Sequence, residues 1–300
     1  MKRITLIAAL LLSFVAASAQ LSLYIANDLG RNGYYQQKQI AALMGTMAEE
    51  DGPEAVLALG DVHHFEGVAS VNDPLWLTNF ELIYDHPELM IPWYPVLGNH
   101  EYRGNTQAVL DYAHVSRRWC MPARYYSLRF EDDGITVRVI MLDTTPLMDK
   151  YRNDSITYPD AHLQDTDAQL AWLEAELAAA TEDWVIVAGH HPVYADTPKD
   201  ESERSDMQRR VGEILRRHRV DFYICGHIHN FQHIRPVDQN ADFVVNTSAS
   251  LSRTKVKAID GTQFVSGEAG FARLTATSST LTLDLINAEG KPLHTIQRSK

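Results

Sequence analysis

The chain has 300 residues, 39 acidic against 27 basic, for a net charge of −12 with histidine neutral. So acidic a protein lacks the electrostatic footprint for nucleic-acid backbones or anionic membrane surfaces. Two cysteines, Cys120 and Cys225, are too few for a disulfide framework, and a chain this long buries a core without one; they read as small buried hydrophobes.

At the N-terminus Lys2 and Arg3 precede an apolar run from Leu6 to Ala17 and then Ala17-Ser18-Ala19. This is the basic, apolar and small-residue order of an export signal, with a run too short to span a bilayer comfortably. The expectation is a signal peptide over 1–19 and one domain over 20–300, exported to a periplasm or the extracellular space, with no membrane attachment after cleavage. Without Lys2 and Arg3, 25 basic residues face 39 acidic ones, and the charge falls to −14. An anionic substrate would then need positive charge supplied locally, which points toward metal ions.

Strand-like apolar runs follow in order: "LSLYIA" from Leu21, "AVLALG" from Ala55, "WYPVLG" from Trp93, "ITVRVIML" from Ile135, "WVIVAG" from Trp184 and "DFYICG" from Asp221. Near-continuous apolarity is the mark of strands covered on both faces. Helical patterns lie between many of them. In "TDAQLAWLEAELAAA" Thr166 and Gln169 fit a capping box, and Leu170, Leu173 and Leu177 make one stripe. A second helix is expected from about Arg204 to Arg217, with Val211, Ile214 and Leu215 inward. After Ala241, "DFVVNTSAS", "GFARLTATS" and "LTLDLINAEG" alternate like short antiparallel strands. The chain reads as α/β closing with antiparallel strands.

Several of these strands end in potential ligands. Asp28 follows the first; Asp61, His63 and His64 the second; Asn99 and His100 the third. His190 and His191 follow "WVIVAG", and His227, His229 and His233 follow "DFYICG". In open α/β sheets ligands bind beyond the carboxyl ends of the strands, and glycines before Asp61, Asn99, His190 and His227 suit sharp turns. Any one of these motifs is weak alone, but five in order after apolar strands imply a converging site. Carboxylate, amide oxygen and imidazole suit first-row metals such as Fe, Mn or Zn. There are enough ligands for two ions about 3.5–4 Å apart, the usual arrangement for displacement at phosphorus.

The five blocks, DxG, GDxxH, GNHE, GHH and GHxH, resemble the calcineurin-like metallophosphoesterase superfamily. "IPWYPVLGNHEYRGN", "RRWCMPARYYSLRF", "VIMLDTTPL" and "LAWLEAELAAATEDWVIVAGHHPVY" look like the small, mammalian-type (tartrate-resistant) purple acid phosphatases, a similarity running from about Ile25 to Gln232. The resemblance implies a four-layer α/β/β/α sandwich with its site at the C-terminal ends of the strands. One metal would be held by Asp28, Asp61, His64 and His229, the other by Asp61, Asn99, His190 and His227, with Asp61 bridging. His100 matches the family's substrate-facing histidine; with Asn99 and His191 it completes the catalytic candidates.

Three departures stand out. The family's tyrosine, three residues after the bridging aspartate, is His64 here. A neutral imidazole replaces an anionic phenolate, so the expected ions are Fe with Zn or Mn, or two divalent ions, without the purple colour. A family histidine nine residues after the GH ligand is Lys199, and a glycine before the first aspartate is Asn27. The expected activity is hydrolysis of small phosphate monoesters by metal-bound hydroxide, carried out by a monomer. The alternatives are phosphodiester or nucleotide hydrolysis, and a non-catalytic binding protein on the same fold.

Overall fold

A computed structural model describes residues 20–300; the expected signal peptide over 1–19 lies outside the described residues. Among the described residues no helix is long and apolar enough to cross a membrane. The first half runs β1 (Leu21–Ala26), α1 (Gln37–Asp51), β2 (Ala55–Ala58), β3 (Trp93–Pro95), α2 (Thr106–Asp111), β4 (Tyr126–Asp132), β5 (Ile135–Met141) and α3 (Asp149–Arg152). The second continues α4 (Thr166–Ala179), β6 (Trp184–Ala188), α5 (Glu201–Met207), α6 (Glu213–Arg217), β7 (Phe222–Cys225), β8 (Phe231–Ile234) and β9 (Asp242–Val245). It closes with β10 (Thr262–Ser266), β11 (Gly270–Ala276), β12 (Thr280–Asn287) and β13 (Pro292–Ser299).

The strands form two mixed sheets, ordered β13-β12-β11-β1-β2-β3 and β10-β8-β9-β7-β6-β5-β4. β1, β2 and β3 are parallel, as are β5, β6, β7 and β9. Helix α1 joins β1 to β2, and α4 joins β5 to β6. The sheets share one apolar core and helices cover the outer faces, giving the α/β/β/α sandwich. Every residue of β1, β2, β6 and β7 is buried, because each strand has neighbours in its sheet and cover on both faces.

Three of the four strands absent from the sequence reading, β4, β10 and β13, lie at sheet edges. There one side faces solvent and polar residues interrupt the apolar pattern. The fourth, β8, has only four residues.

Helix α4 begins differently from the expected capping box. Asp165 is the N-cap and its side chain accepts from Ala168 N at 2.9 Å. Gln169 instead clamps Asp143, accepting from its N–H at 2.9 Å and donating to its carbonyl at 3.0 Å. A buried backbone with unmet polar groups thus captured the residue that could have completed the cap. The second expected helix is α5 and α6 joined by a π turn over Gln208–Gly212, with Val211, Ile214 and Leu215 buried as anticipated. Cys120 and Cys225 are both free.

Candidate metal centre

The carboxyl ends of β1, β2 and β3 in one sheet face those of β6, β7 and β9 in the other, and the loops leaving them meet. Asp28 and Asp61 are buried there among His64, His190, His227 and His229, also buried, and Asn99. Asp28, Asp61, His227 and His229 have φ of 52°, 53°, 72° and 63°. Non-glycine residues rarely take this left-handed region, and where they do a surrounding structure holds them. Close approach explains the glycines: a Cβ on Gly60 would lie 2.6 Å from His190 Nδ1, and one on Gly98 2.2 Å from Asp61 Oδ1.

Two carboxylates organise the cluster. Asp61 Oδ2 faces His190 Nε2 at 3.2 Å on one side and His64 Nε2 at 3.5 Å on the other. Asp28 Oδ1 faces His229 Nε2 at 3.0 Å, while its Oδ2 accepts from His227 N at 2.9 Å. His227 Nδ1 lies 3.2 Å from His190 Nε2. Donor atoms of Asp28, His64 and His229, and of Asp28, Asp61 and His190, converge within a metal's reach. Each imidazole is braced at its other nitrogen. His64 Nδ1 meets Gly30 O at 3.1 Å, His190 Nδ1 meets Leu59 O at 2.8 Å, and His229 Nδ1 meets Leu251 O at 2.7 Å. These Nδ1 contacts turn Nε2 of His64, His190 and His229 inward, the orientation of metal-ligating histidines.

The donor set fits metal ions on a further ground. Asp28 Oδ1, His64 Nε2 and Asn99 Oδ1 are buried without a hydrogen-bond partner, a costly state for polar atoms unless a cation satisfies them. The electrostatics agree. Burial opposes ionisation of Asp61, but His190 and His100 beside it hold its carboxyl well below the usual range. Burial also disfavours the His190 imidazolium, which Asp61 outweighs, raising the group to about 9.

His100 is the partly exposed member, its side chain 15% accessible. Its backbone N–H donates to Asp61 Oδ1 at 2.9 Å and its Nδ1 meets Phe65 O at 2.6 Å. Nε2 is thus presented toward the mouth, 3.8 Å from Asp61 Oδ2, and burial lowers the group to about 4. His191 is fully buried, with Nδ1 2.9 Å from Thr144 Oγ1 and Nε2 3.2 Å from Tyr151 OH. His63 packs edge-on against Trp76 and faces Asn79. His233 points elsewhere, pairing with Asp242 at 2.9 Å on β8. Lys199 reaches the centre, its Nζ 3.3 Å from His227 Nδ1, and burial lowers its pKa.

Several supporting residues escaped the sequence reading. Glu101 accepts from the backbone N–H groups of Asp61, His63 and Gly98 at 2.8, 3.0 and 2.8 Å, tying the GDxxH and GNHE loops together; the "GNHE" block carried that signal. Glu203 on α5 meets His227 Nε2 at 3.1 Å through Oε2, while Oε1 accepts from Lys150 and Tyr151 at 2.6 and 3.0 Å. No motif marks it. Asn27 joins the two sheets: it donates to Asp28 Oδ2 at 2.7 Å and Thr247 O at 2.9 Å, and accepts from Asn246 at 2.7 Å. Ser248 and Ser250 hold the Asp28 carbonyl from the loop after β9.

A model of the calcineurin-like phosphoesterase family matches residues 21–231. The chain belongs to that family. Tartrate-resistant acid phosphatase type 5 of Homo sapiens is 33% identical over 259 residues, covering 81% of this phosphoesterase and 78% of the relative. The Sus scrofa protein of that name is 31% identical over 268 residues, 84% and 78% of the two chains. Purple acid phosphatase 3 of Arabidopsis thaliana is 32% identical over 242 residues, 76% and 63%. Among solved structures, GAP50, the anchor in the inner membrane complex of Plasmodium, superposes with a TM-score of 0.80 at 21% identity, over 94% and 89% of the two chains. Purple acid phosphatase PPD1 from yellow lupin seeds gives 0.67 at 16%, over 94% and 54%. At those identities the two structures establish the shared fold. The family and its acid-phosphatase relatives make this phosphoesterase a metal-dependent phosphatase, and the family implies a dinuclear centre, for which the chain supplies clusters of His and Asp.

Proposed function

We propose that the protein is an exported, monomeric phosphatase that hydrolyses small phosphate monoesters, using one domain over 20–300. The observation that carries the site assignment is the position of Asp61 Oδ2 between His190 Nε2 and His64 Nε2. One carboxylate oxygen faces both halves of the cluster, as a bridging ligand must. Asp28, Asp61, His64 and His229 would hold one ion; Asp61, Asn99, His190 and His227 would hold the other. Neutral His64, in place of an anionic phenolate, supports Fe with Zn or Mn, or two divalent ions. When bound, such a pair supplies a water of lowered pKa and neutralises charge on the phosphoryl oxygens.

The chain's own residues then have distinct tasks. Asn99 orients through its buried amide oxygen. His100 presents Nε2 to the phosphoryl group or leaving oxygen, where it binds an oxygen or passes a proton. Phe65 O fixes its ring. His191, with both nitrogens engaged by Thr144 and Tyr151, acts as a positioning residue behind His190 and His227. Glu203 orients His227. Lys199, at the position of a family histidine, contributes a cation beside the reacting group. The basic, apolar and small-residue order of residues 1–19 supports export to a periplasm or the extracellular space, and the acidic surface disfavours nucleic acid as a partner.

The test is turnover of nitrophenyl phosphate against its bis-nitrophenyl diester by metal-loaded protein, with His190→Ala in parallel. The monoester should be preferred, and His190→Ala should lose one metal and nearly all turnover. Preference for the diester would move the assignment to phosphodiesters, and full activity in His190→Ala would remove His190 from the centre.

A further inference from the structure

Beside the metal cluster lies a cleft of about 410 Å³ lined by Arg31, Asn32, Tyr34, Tyr35, His64 and Phe65. His64 makes its inner wall, which places the cleft directly beside the cluster. Its rim is aromatic and exposed: Tyr34 is 72%, Tyr35 65% and Phe65 62% accessible. Three large rings left in water around one cavity form an exposed apolar patch, a pattern associated with recognition.

The backbone that carries the rings is also held firmly. Asn32 and Tyr35 take φ of 53° and 56°, a conformation a bulky residue adopts only where the structure imposes it. Buried Gln37 braces the turn, accepting from Arg31 N at 3.1 Å and Gly33 N at 2.8 Å and donating to Asn79 O at 2.9 Å. Asn79 in turn accepts from Asn32 N at 2.7 Å. The Arg31 guanidinium lies 4.8 Å from the Phe65 ring centre. Arg31 is 8% exposed, and its Nε has no hydrogen-bond partner. A cation with an unused donor thus stands between the aromatic rim and the metal cluster.

We propose that this cleft binds a planar aromatic group on the leaving-group side of the substrate, stacked on Tyr34 and Tyr35, with Arg31 donating to an oxygen between ring and phosphorus. The inference rests on the phosphatase reading and narrows its substrates to ring-bearing phosphate monoesters. The ring could be a nucleobase one sugar away or an aryl group bonded to the ester oxygen.

The experiment compares kcat/KM of the metal-loaded protein for adenosine 5′-monophosphate, phenyl phosphate and glycerol 3-phosphate. The first and third are both alkyl esters, so leaving-group acidity does not explain a difference between them. Stacking gives an expected preference of roughly tenfold for the nucleotide. The double variant Tyr34→Ala/Tyr35→Ala should abolish that preference while leaving glycerol 3-phosphate turnover within about twofold, and an unchanged melting temperature excludes misfolding. A preference that survives the double variant, or equal losses on all three substrates, overturns the proposal. If phenyl phosphate alone loses turnover in the variant, the ring is an aryl group; if the nucleotide does, it is a nucleobase. Should the wild-type protein hydrolyse none of the three, the phosphatase reading fails. The cleft is then judged by calorimetric binding of adenosine 5′-monophosphate and phenyl phosphate, which must weaken about tenfold in the variant for at least one of them.

Discussion

Replacing Glu203 by glutamine keeps the side chain's size and removes one negative charge from a position only 3% exposed. Glu203 meets His227 at 3.1 Å and accepts from Lys150 and Tyr151 at 2.6 and 3.0 Å. Outer partners of ligating histidines are typically worth about 10- to 100-fold in metal affinity. Glutamine can keep an oxygen on His227, but its amide then opposes the Lys150 ammonium. The expected cost is therefore the lower end, about tenfold or ~1.4 kcal/mol; Glu203→Ala, which removes the acceptor, belongs at the upper end, about 100-fold. The assay equilibrates loaded protein against graded chelator and counts retained metal by elemental analysis. One metal should become labile and the other stay, because Glu203 contacts His227 and reaches the second set of ligands through no hydrogen bond. Loss of both metals in parallel, or unchanged retention of both, would refute this reasoning. The metal-free variant should melt within a few degrees of the metal-free wild type.

Gly60→Ala places a methyl 2.6 Å from His190 Nδ1 at φ +84°. A displacement of His190 by about 1 Å is expected to cost on the order of 100-fold in turnover; full activity would show that the turn relaxes without moving the histidine. Asp242→Asn removes a charge that pairs with His233, Arg235 and Arg298. Arg235 is half exposed, so the loss should be ~2 kcal/mol, below the value for a fully buried pair. Burial raises the Asp242 carboxyl, but His233 and Arg235 hold it below its ordinary value. Its contribution is therefore complete above about pH 4 and fades as pH falls through the depressed folded value. Urea unfolding should show the wild-type advantage shrinking below about pH 4, and an equal gap at pH 7 and 3 would be the wrong result. Iron-loaded wild type should lack a strong visible tyrosinate band and His64→Tyr should acquire one; a purple wild-type protein would contradict the assignment of His64.

The buried strands were legible because covering both faces leaves a continuous apolar run, and their ends carried the Asp, Asn and His residues that converge. β4, β10 and β13 were not, since an edge strand keeps polar residues along its solvent side. The site's outer layer was hidden for a different reason. Glu203 reaches His227 from α5, 24 residues earlier in sequence, and nothing local distinguishes it from the surface acids Glu201 and Asp200 around it. Asn27 could be seen as a departure from the family's glycine, yet its partners Asn246 and Thr247 lie some 220 positions away. His233, only four residues from His229, shows the converse. Sequence proximity to a ligand did not bring it into the centre, because β8 begins between them and turns it toward Asp242.

The backbone of the centre bears a cost that metal binding should offset. Asp28, Asp61, His227 and His229 all lie at positive φ, each costing on the order of 1 kcal/mol for a non-glycine residue. Together that is ~4 kcal/mol, before counting the two buried carboxylates, whose ionisation burial opposes although His229 beside Asp28 and His190 beside Asp61 hold both below the usual range. The metal-free fold holds these residues through the Glu101, Asn27, Ser248 and Ser250 hydrogen bonds. Cations between Asp28 and Asp61 would relieve the repulsion and satisfy the unpartnered Asp28, His64 and Asn99 atoms, so the folded state alone should bind them tightly. At a free metal concentration 100 times the dissociation constant, linkage adds about 2.7 kcal/mol for each ion bound. In a chain of this length that raises the melting temperature by about 5 °C per ion, taking roughly 2 °C per kcal/mol. Thermal unfolding with excess chelator and after reloading measures it directly. Identical melting temperatures in the two states would mean that these residues are held at positive φ for a reason other than metal binding.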